Sequence, residues 1–295
     1  GLFVLAGLGL SLTGFTMQDS KGDGIKSKGA DDIVYKDLKV EWTGGPKAEN
    51  GAYGVYPVES TNVLIDGVTV SGASDAGIYV GQSDNIIVRN SRAEYNVAGI
   101  EIENSTRADV YDNVATKNAG GILVFDLPNL PKKGGHSTRV FNNQIIENDT
   151  PNFAPPGNIV AGVPTGTGVL LMANRNVHVF GNTFDKNQTA HVMIVSYTNE
   201  IKDDPEYNPL PRDFVIRDNT YGEGGNDPKG RSPPLWVENS RRSSGTASPS
   251  MATRQKTSAS SCARSRKSAS STLVSAQRRP ISPRPSLRWT ASLTR

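Results

Sequence analysis

The sequence predicts an all-β fold over residues 1 to about 225, in which short parallel strands wind into a solenoid. Three observations predict it: a repeat of about 23 residues, one bend position that recurs in every repeat, and an abrupt change of composition near residue 240. A repeat of this length cannot bury its own apolar face, so neighbouring repeats must stack and share one continuous core.

The repeat is clearest when residues 77–99 (GIYVGQSDNIIVRNSRAEYNVAG) are set above residues 99–121 (GIEIENSTRADVYDNVATKNAGG). Each unit has a glycine, a short strand of alternating polarity, a polar bend, a second strand and a third short strand. The opening position is occupied by Gly1, Gly24, Gly54, Gly77, Gly99, Gly121, Gly168 and His191. The interval of 30 residues after Gly24 predicts one insertion, and the interval of 47 after Gly121 predicts two units, so we expect eight to nine coils.

A second position holds residues that tolerate left-handed backbone angles. Its members are Gly14, Asp37, Gly67, Asn90, Asn113, Asn143, Asn182 and Asn219. We expect one bend stacked on itself, with asparagine side chains bonded up and down the stack. In this register the opening stretch GLFVLAGLGLSLTGF is the first coil, and it lacks both the basic start of a signal peptide and the length of a membrane span.

The net charge of +3 combines two different kinds of polypeptide. Residues 240–295 carry 10 Arg, 2 Lys and no acid, which gives +12, whereas residues 1–239 carry 20 basic and 29 acidic residues, which gives −9. We predict a β-helical domain over residues 1–231 and a disordered tail over residues 232–295. The tail composition is typical of a basic arm or, as we favour, of coding DNA read out of frame. For the folded domain the negative charge argues against nucleic acid and a polyanionic substrate.

These repeats resemble the right-handed parallel β-helix proteins, the architecture of pectate lyases, polygalacturonases, alginate epimerases and the periplasmic copper-maturation protein of nitrous oxide reductase. The runs GDGIKSKGADDIVYKDLKVEWTGG, YPVESTNVLIDG and GGILVFDLPNLP are similar to a bacterial exported family of such proteins. The resemblance implies a right-handed single-stranded β-helix in the periplasm or outside the cell, with the signal sequence absent from this chain. It does not assign an activity, because this fold serves many. The sequence has neither the Gly-His-Gly motif of polygalacturonases nor the Asp-Pro-His motif of alginate epimerases.

The first strand of each repeat has an outward face that is too apolar for an ordinary wet surface. Four insertions flank this strand, at residues 43–53, 127–137, 149–167 and 197–212. Loops on a rigid scaffold commonly carry function, so we predict a cleft over the sheet of first strands. Its Tyr56, Tyr79 and Glu101 stretch is expected to be open. Leu123, Phe125, Leu170 and Met172 are expected to lie partly under the loops. Alternatively, the loops only cap an apolar sheet.

The cleft is predicted to bind a polysaccharide or oligosaccharide, because tyrosines stack on sugars and carboxylates hold hydroxyl groups. The candidate catalytic residues are Tyr79, Glu101, Asp126 and His136, and the candidate substrate-binding residues are Tyr56, Lys47, Lys132, Lys133 and Phe125. A uronate lyase or epimerase would need a base and a group that neutralises the substrate carboxylate. A hydrolase would need two carboxyl groups, such as Glu101 with Asp126 or Asp75.

A second hypothesis is a non-catalytic periplasmic scaffold or maturation protein whose face binds a protein partner. We expect a monomer without a membrane span and without a metal or cofactor. Calcium is the one alternative, at Asp203 and Asp204 or in the GEGGNDPKG segment at residues 222–230.

Overall fold

A computed structural model of the chain describes residues 1–198 and 204–229, and the backbone of residues 236–238. All of them lie in the first of two compact units, Gly1–Ser248. The predictions for the tail, residues 232–295, therefore lie outside the described residues apart from that short strand. Within the described part no helix is long and apolar enough to cross a membrane.

Three strands form each coil, and equivalent strands of successive coils pair in parallel to give three sheets. The first sheet contains β1 (Leu2–Leu5), β4 (Ile25–Lys28), β7 (Tyr53–Val58), β10 (Ala76–Gly81), β13 (Ala98–Glu103), β16 (Gly120–Phe125), β19 (Thr167–Met172), β22 (Ala190–Val195) and β25 (Trp236–Glu238). The second contains β2 (Leu8–Thr13), β5 (Asp31–Lys36), β8 (Thr61–Asp66), β11 (Asp84–Arg89), β14 (Thr106–Tyr111), β17 (His136–Phe141), β20 (Arg175–Phe180) and β23 (Val215–Arg217). The third contains β3 (Thr16–Gln18), β6 (Lys39–Glu41), β9 (Thr69–Ser71), β12 (Arg92–Glu94), β15 (Val114–Thr116), β18 (Gln144–Ile146), β21 (Thr183–Asp185) and β24 (Thr220–Tyr221).

The one departure from parallel pairing in the described part is β25, which is antiparallel to β22. A 3₁₀ turn at Ile159–Gly162 is the single helical element there. The predicted all-β parallel solenoid is thus confirmed, with eight coils. The opening stretch forms β1 and β2 of the first coil, as predicted, and its Phe3, Leu5 and Leu8 are exposed.

The opening glycines stack because neighbouring backbones approach too closely for a side chain. Gly54, Gly77 and Gly99 occupy one register position, since their flanking residues pair directly. A Cβ on Gly54 would collide with the Val70 side chain and would lie 2.6 Å from the Gly77 carbonyl oxygen. These glycines therefore provide room rather than unusual backbone angles.

The long interval between Gly121 and Gly168 is one coil, so the prediction of two units there is wrong. Ile122 pairs directly with Val169, which places β16 beside β19 without an intervening strand. Two insertions, at residues 126–135 and 147–166, supply the additional length. Both border the first sheet, as do the segments between β6 and β7 and between β22 and β23. The prediction that four insertions flank this sheet is confirmed.

The predicted bend column combines two neighbouring positions, and this part of the register was wrong. The residues with left-handed backbone are Gly14, Asp37, Gly67, Asn90, Asp112, Asn142, Gly181 and Asp218. From Asn113 onward the predicted column lies one residue later and points inward. There the side chain of Asn113 donates to Asn143 Oδ1 at 3.0 Å, and Asn143 donates to Asn182 at 2.9 Å. The asparagine ladder exists, but it stands beside the bend rather than in it.

A second asparagine ladder follows the third strand of each coil, and the sequence reasoning missed it. Asn96, Asn118, Asn148 and Asn187 are fully buried. Each side chain donates to the Oδ1 of the next at 3.0–3.1 Å. His191 Nδ1 ends the ladder, 3.2 Å from Asn187 Nδ2. Both ladders satisfy backbone groups at corners where strand pairing stops.

The protein has two hydrophobic cores. The inner core lies between the three sheets and contains the predicted inward residues, for example the fully buried Ile78, Ile100 and Ile122. The outer core lies on the opposite face of the first sheet, where Leu123, Phe125 and other outward side chains pack under the loops. This second core determines which side chains of the candidate site are accessible.

Candidate functional site

Three tyrosines and three carboxyl groups lie together on the outer face of the first sheet, and we call them the tyrosine–carboxyl cluster. Its members are Tyr53, Tyr56, Asp75, Tyr79, Glu101 and Glu103. Parallel pairing places Tyr79 beside Glu101, and Gly81 beside Glu103. Because side chains alternate along a strand, every second one points outward, and the outward side chains of neighbouring strands lie side by side. Gly81 matters here because a Cβ at this position would collide with the Tyr79 ring.

The tyrosine rings form a compact triangle. Ring centroids are 4.4 Å apart for Tyr53 and Tyr56, 4.6 Å for Tyr53 and Tyr79, and 4.9 Å for Tyr56 and Tyr79. Tyr79 is only 4% exposed, whereas Tyr53 and Tyr56 are half-buried. Lys26 Nζ stands 4.1 Å from the centroid of the Tyr56 ring. Tyr56 therefore forms the accessible rim of the cluster, and Tyr79 its floor.

The tyrosines hold two of the carboxyl groups. Tyr79 Oη donates to Glu103 Oε1 at 2.6 Å, and Gln82 Nε2 donates to the same oxygen at 3.0 Å. Tyr53 Oη donates to Asp75 Oδ2 at 3.3 Å. Glu101 differs from both, because its carboxyl is hydrogen-bonded to that of Glu103, and its buried Oε2 receives no N–H or hydroxyl donor from the described residues.

Burial makes these carboxyl groups unusually weak acids. Desolvation raises the pKa of Asp75 to about 7. Desolvation also raises the pKa of Glu101 well above its usual range, and the nearby charges of Asp75 and Glu103 add to the effect. The pKa of Glu103 is raised by burial as well, against the opposing hydrogen bond from Tyr79. At neutral pH the three groups cannot all be ionised, so the cluster holds protons that it can give and take.

The predicted open stretch of the sheet is not open, and this correction has a physical cause. Glu101 is 2% exposed and Tyr79 is 4% exposed. The insertion at residues 147–166 crosses the face, packs Val160 and Val163 into the outer core, and brings Asn158 Nδ2 to 3.4 Å from Asp75 Oδ2. Residues predicted to be partly covered are likewise sealed: Leu123 0%, Phe125 1%, Leu170 4% and Met172 6% exposed.

Asp126 lies at the end of β16, near the cluster, and its negative charge raises the pKa of Glu103. Its Oδ1 accepts a hydrogen bond from the Gly135 N–H at 2.9 Å, which closes the loop between β16 and β17. Burial raises the pKa of Asp126 to about 6. A second loop is fastened at the same place, because Tyr207 Oη donates to the Asp126 carbonyl oxygen at 2.8 Å.

The other predicted site residues lie outside the cluster. Lys132 Nζ donates to the Ser83 carbonyl oxygen at 2.5 Å, and Lys133 Nζ is paired with the Asp204 carboxylate at 2.7 Å. His136 begins β17 in the second sheet, with Nδ1 2.8 Å from Ser137 Oγ. Lys47 is exposed in the loop before β7. Lys132 thus ties the segment after β16 to the turn before β11, and Lys133 ties it to the segment between β22 and β23.

The sequence reasoning brought together Tyr56, Tyr79 and Glu101, and it did not select Tyr53, Glu103 or Asn158. Glu103 could have been found, since it is the next outward position after Glu101. Tyr53 directly precedes an opening glycine, and Asn158 comes from an insertion, so no repeat position marks either of them. Among the described residues no group of three or more His, Cys, Asp or Glu side chains is placed to hold a metal ion. Of the two suggested calcium ligands, Asp203 lies outside the described residues, and the Asp204 carboxylate pairs with Lys133 and accepts the Asn129 N–H at 3.0 Å.

Comparison with known proteins identifies the fold. Residues 1–131 match the model of the right handed beta helix region. No curated protein matches the sequence significantly. Among solved structures, the A-module of the Azotobacter vinelandii mannuronan C-5 epimerase AlgE6 is 15% identical with a TM-score of 0.51, over 75% of this chain and 55% of that chain. A double mutant of the periplasmic alginate epimerase AlgG is 16% identical with a TM-score of 0.48, over 74% of this chain and 62% of that chain.

This chain thus spans between half and two thirds of the length of those structures, and identities this low concern the fold alone. The parallel pairing of three sheets, the stacked asparagine corners and the match over residues 1–131 agree with one another. The chain therefore has the right-handed parallel β-helix fold.

Proposed function

We propose that the protein binds a polysaccharide or oligosaccharide at the tyrosine–carboxyl cluster and hydrolyses a glycosidic bond there, with the carboxyl groups as acid and base after the 147–166 insertion that covers them moves aside. The observation that carries this proposal is the group of carboxyls with raised pKa on the outer face of the first sheet. Folding alone does not call for buried acids there, since apolar residues would fill the same space at lower cost. Such groups are common where protons must be transferred near neutral pH.

The chemistry needs one carboxyl that is protonated and one that is ionised. The protonated group donates a proton to the leaving oxygen, and the ionised group activates water or stabilises the positive charge that develops on the sugar. Asp75, with a pKa of about 7, is present in both states near neutral pH, and burial raises the pKa of Glu101 and of Glu103, which favours their protonated forms. The half-buried Tyr56 offers an aromatic surface to a sugar ring at the rim.

The cluster favours hydrolysis over the lyase and epimerase chemistry that the sequence left open. A uronate would bring its own carboxylate toward Asp75, Glu101 and Glu103. The two loop lysines that would have to neutralise it are engaged with Ser83 and Asp204 instead. The similar A-module belongs to a mannuronan C-5 epimerase, so the fold acts on a polysaccharide in that protein. For this chain we propose a glycan whose sugars carry no carboxylate. We also propose that the protein acts outside the cytoplasm as a monomer.

The test is a screen of the full chain on a glycan array, followed by mass spectrometry of the products of each bound glycan. Tyr56→Ala should weaken binding about ten-fold, because a stacked ring contributes about 1–3 kcal/mol. Glu103→Gln and Asp75→Asn should abolish cleavage while the protein stays folded. Asp109→Asn is the matched control, since this carboxylate is paired with Arg139 on the second sheet. Cleavage that survives both cluster variants contradicts the proposal.

A further inference from the structure

The cluster contains a buried carboxyl oxygen that receives no hydrogen bond from an N–H or hydroxyl group. Among the described residues only two buried side-chain polar atoms have no hydrogen-bond partner, Glu101 Oε2 and Thr138 Oγ1. Thr138 pairs with Ala108 and Val177 on the inward side of the second sheet. Glu101 instead faces the cluster, where the negative charges of Asp75 and Glu103 act on it. A buried carboxyl oxygen without a partner is costly, so its position indicates a donor that arrives with a ligand.

The charges around this oxygen favour a cationic donor. The pKa of Tyr56 is raised to about 12 by burial and by the negative charges of Asp23, Glu103, Asp75 and Glu59. The Glu101 and Glu103 carboxyls are hydrogen-bonded to each other, which requires a proton on one of them. The folded region around them is itself acidic, with the −9 of residues 1–239. The electrostatic potential at the rim is therefore negative.

An ammonium group already lies against the cluster. Lys26 Nζ sits over the Tyr56 ring at 4.1 Å from its centroid, and its nearest carboxylate oxygen, on Asp23, is 3.7 Å away. The Tyr56 ring face thus accepts a cation in the geometry of a cation–π contact. Because Lys26 is long and flexible, a ligand ammonium could replace it at small cost, and it would reach Glu101 once the 147–166 insertion moves aside.

We propose that the glycan bound at the tyrosine–carboxyl cluster carries hexosamine units with a free amino group, whose ammonium donates to Glu101 and Glu103 and packs against Tyr56. This proposal rests on the proposed function, since it names the substrate class of the same site. An ammonium has three donors and needs no coordination sphere, so it suits carboxyls that are not placed to hold a metal ion. An N-acetylated sugar has no such charge.

The test compares two oligosaccharides that differ only in acetylation. Binding of hexameric glucosamine and hexameric N-acetylglucosamine to the full chain is measured by calorimetry at pH 6.5 and low salt. We expect at least ten-fold tighter binding of the aminated hexamer. Glu101→Gln should remove that preference, because it weakens binding of the aminated hexamer at least ten-fold more than binding of the acetylated hexamer. Lys26→Gln should strengthen binding of the aminated hexamer by a few-fold, because the competing ammonium is gone.

Folding and charge need separate controls. Glu101→Gln should retain or raise the melting temperature, because it replaces a buried acid by a neutral group of the same shape, so lost binding cannot be ascribed to unfolding. Asp109→Asn removes one negative charge from the second sheet and should change neither affinity. An equal loss in Asp109→Asn would mean general charge attraction and would overturn the proposal.

The remaining outcomes distinguish this proposal from the one on which it rests. Equal binding of both hexamers overturns the preference for an amino sugar. Binding of a different glycan that Tyr56→Ala weakens would also overturn this preference. In both cases the proposal that the cluster binds a glycan would stand. If no glycan of any class binds, the proposed function fails and this inference fails with it.

Discussion

Replacing Asp75 by asparagine should stabilise the protein at alkaline pH and have little effect in acid. The pKa of this carboxyl is raised from 3.8 to about 7, chiefly by burial. Because the folded state holds the proton more tightly than the unfolded state, the contribution of Asp75 to stability is fully present below pH 3.8. It is lost as the pH rises through 7. Asp75→Asn removes this loss.

The size of the gain follows from the pKa difference. At about 1.4 kcal/mol per pKa unit, a rise from 3.8 to about 7 corresponds to about 4 kcal/mol. This is an upper bound, because the asparagine amide that replaces the carboxyl is itself a polar group whose burial costs free energy. We therefore expect the variant to be more stable by about 2–4 kcal/mol at pH 8 and by less than about 0.5 kcal/mol at pH 4. The amide oxygen of the new asparagine side chain would still accept the hydrogen bond from Tyr53.

Urea unfolding of the wild type and the variant at pH 4, 6 and 8 measures this difference. The control is Asp109→Asn, which removes an exposed pair with Arg139 and should cost about 0.2–1 kcal/mol without a gain at high pH. An Asp75→Asn variant that is less stable at pH 8, or equally shifted at all three pH values, would refute the burial argument.

Three further predictions concern the ladders and the loops. Asn118→Ala removes hydrogen bonds with Asn148 in the next coil and with Ala93 and Asn96 in the previous coil, and it should lower the free energy of unfolding in urea by about 3 kcal/mol. The exposed Asn90→Ala should lower it by only about 1 kcal/mol. The pKa of His191 is lowered from 6.5 by burial, so its contribution is present above pH 6.5 and lost as pH falls. The stability advantage of the wild type over His191→Gln should shrink below that pH, and a constant advantage would contradict this. Tyr207→Phe loses the bond to the Asp126 carbonyl and should cost about 1 kcal/mol and speed proteolysis within residues 127–137, which unchanged digestion would disprove.

The repeat allowed much of the fold to be predicted, because alternation with period two fixes which side chains face inward. Ile78, Ile100 and Ile122 follow that rule, and so does the adjacency of Tyr79 and Glu101. The predicted bend column is wrong from Asn113 onward, because Asn, Asp and Gly all tolerate the left-handed backbone of the bend. Aligning Asn90 with Asn113 instead of Asp112 therefore matched identical letters at different positions.

The depth of the site could not be predicted, because it depends on residues outside the repeat. Spacing located the insertion at residues 147–166 beside the first sheet, but it does not tell whether such a loop lies across the sheet or beside it. The structure has it across, with Asn158 above Asp75. Loop length likewise gave no sign that Lys133 pairs with Asp204 rather than with a ligand.

The double length of the sixth coil has a mechanical consequence. Hydrogen bonds between coils run along the axis of the solenoid, so a force applied at its two ends would open one coil at a time, in the manner of a zipper. An ordinary coil of 22–23 residues would release roughly 80 Å of chain, at about 3.5 Å per residue. Residues 121–167 would release roughly 160 Å in one step. Since the loop that bears Asn158 belongs to this coil, that single long step would also expose the carboxyl groups beneath it.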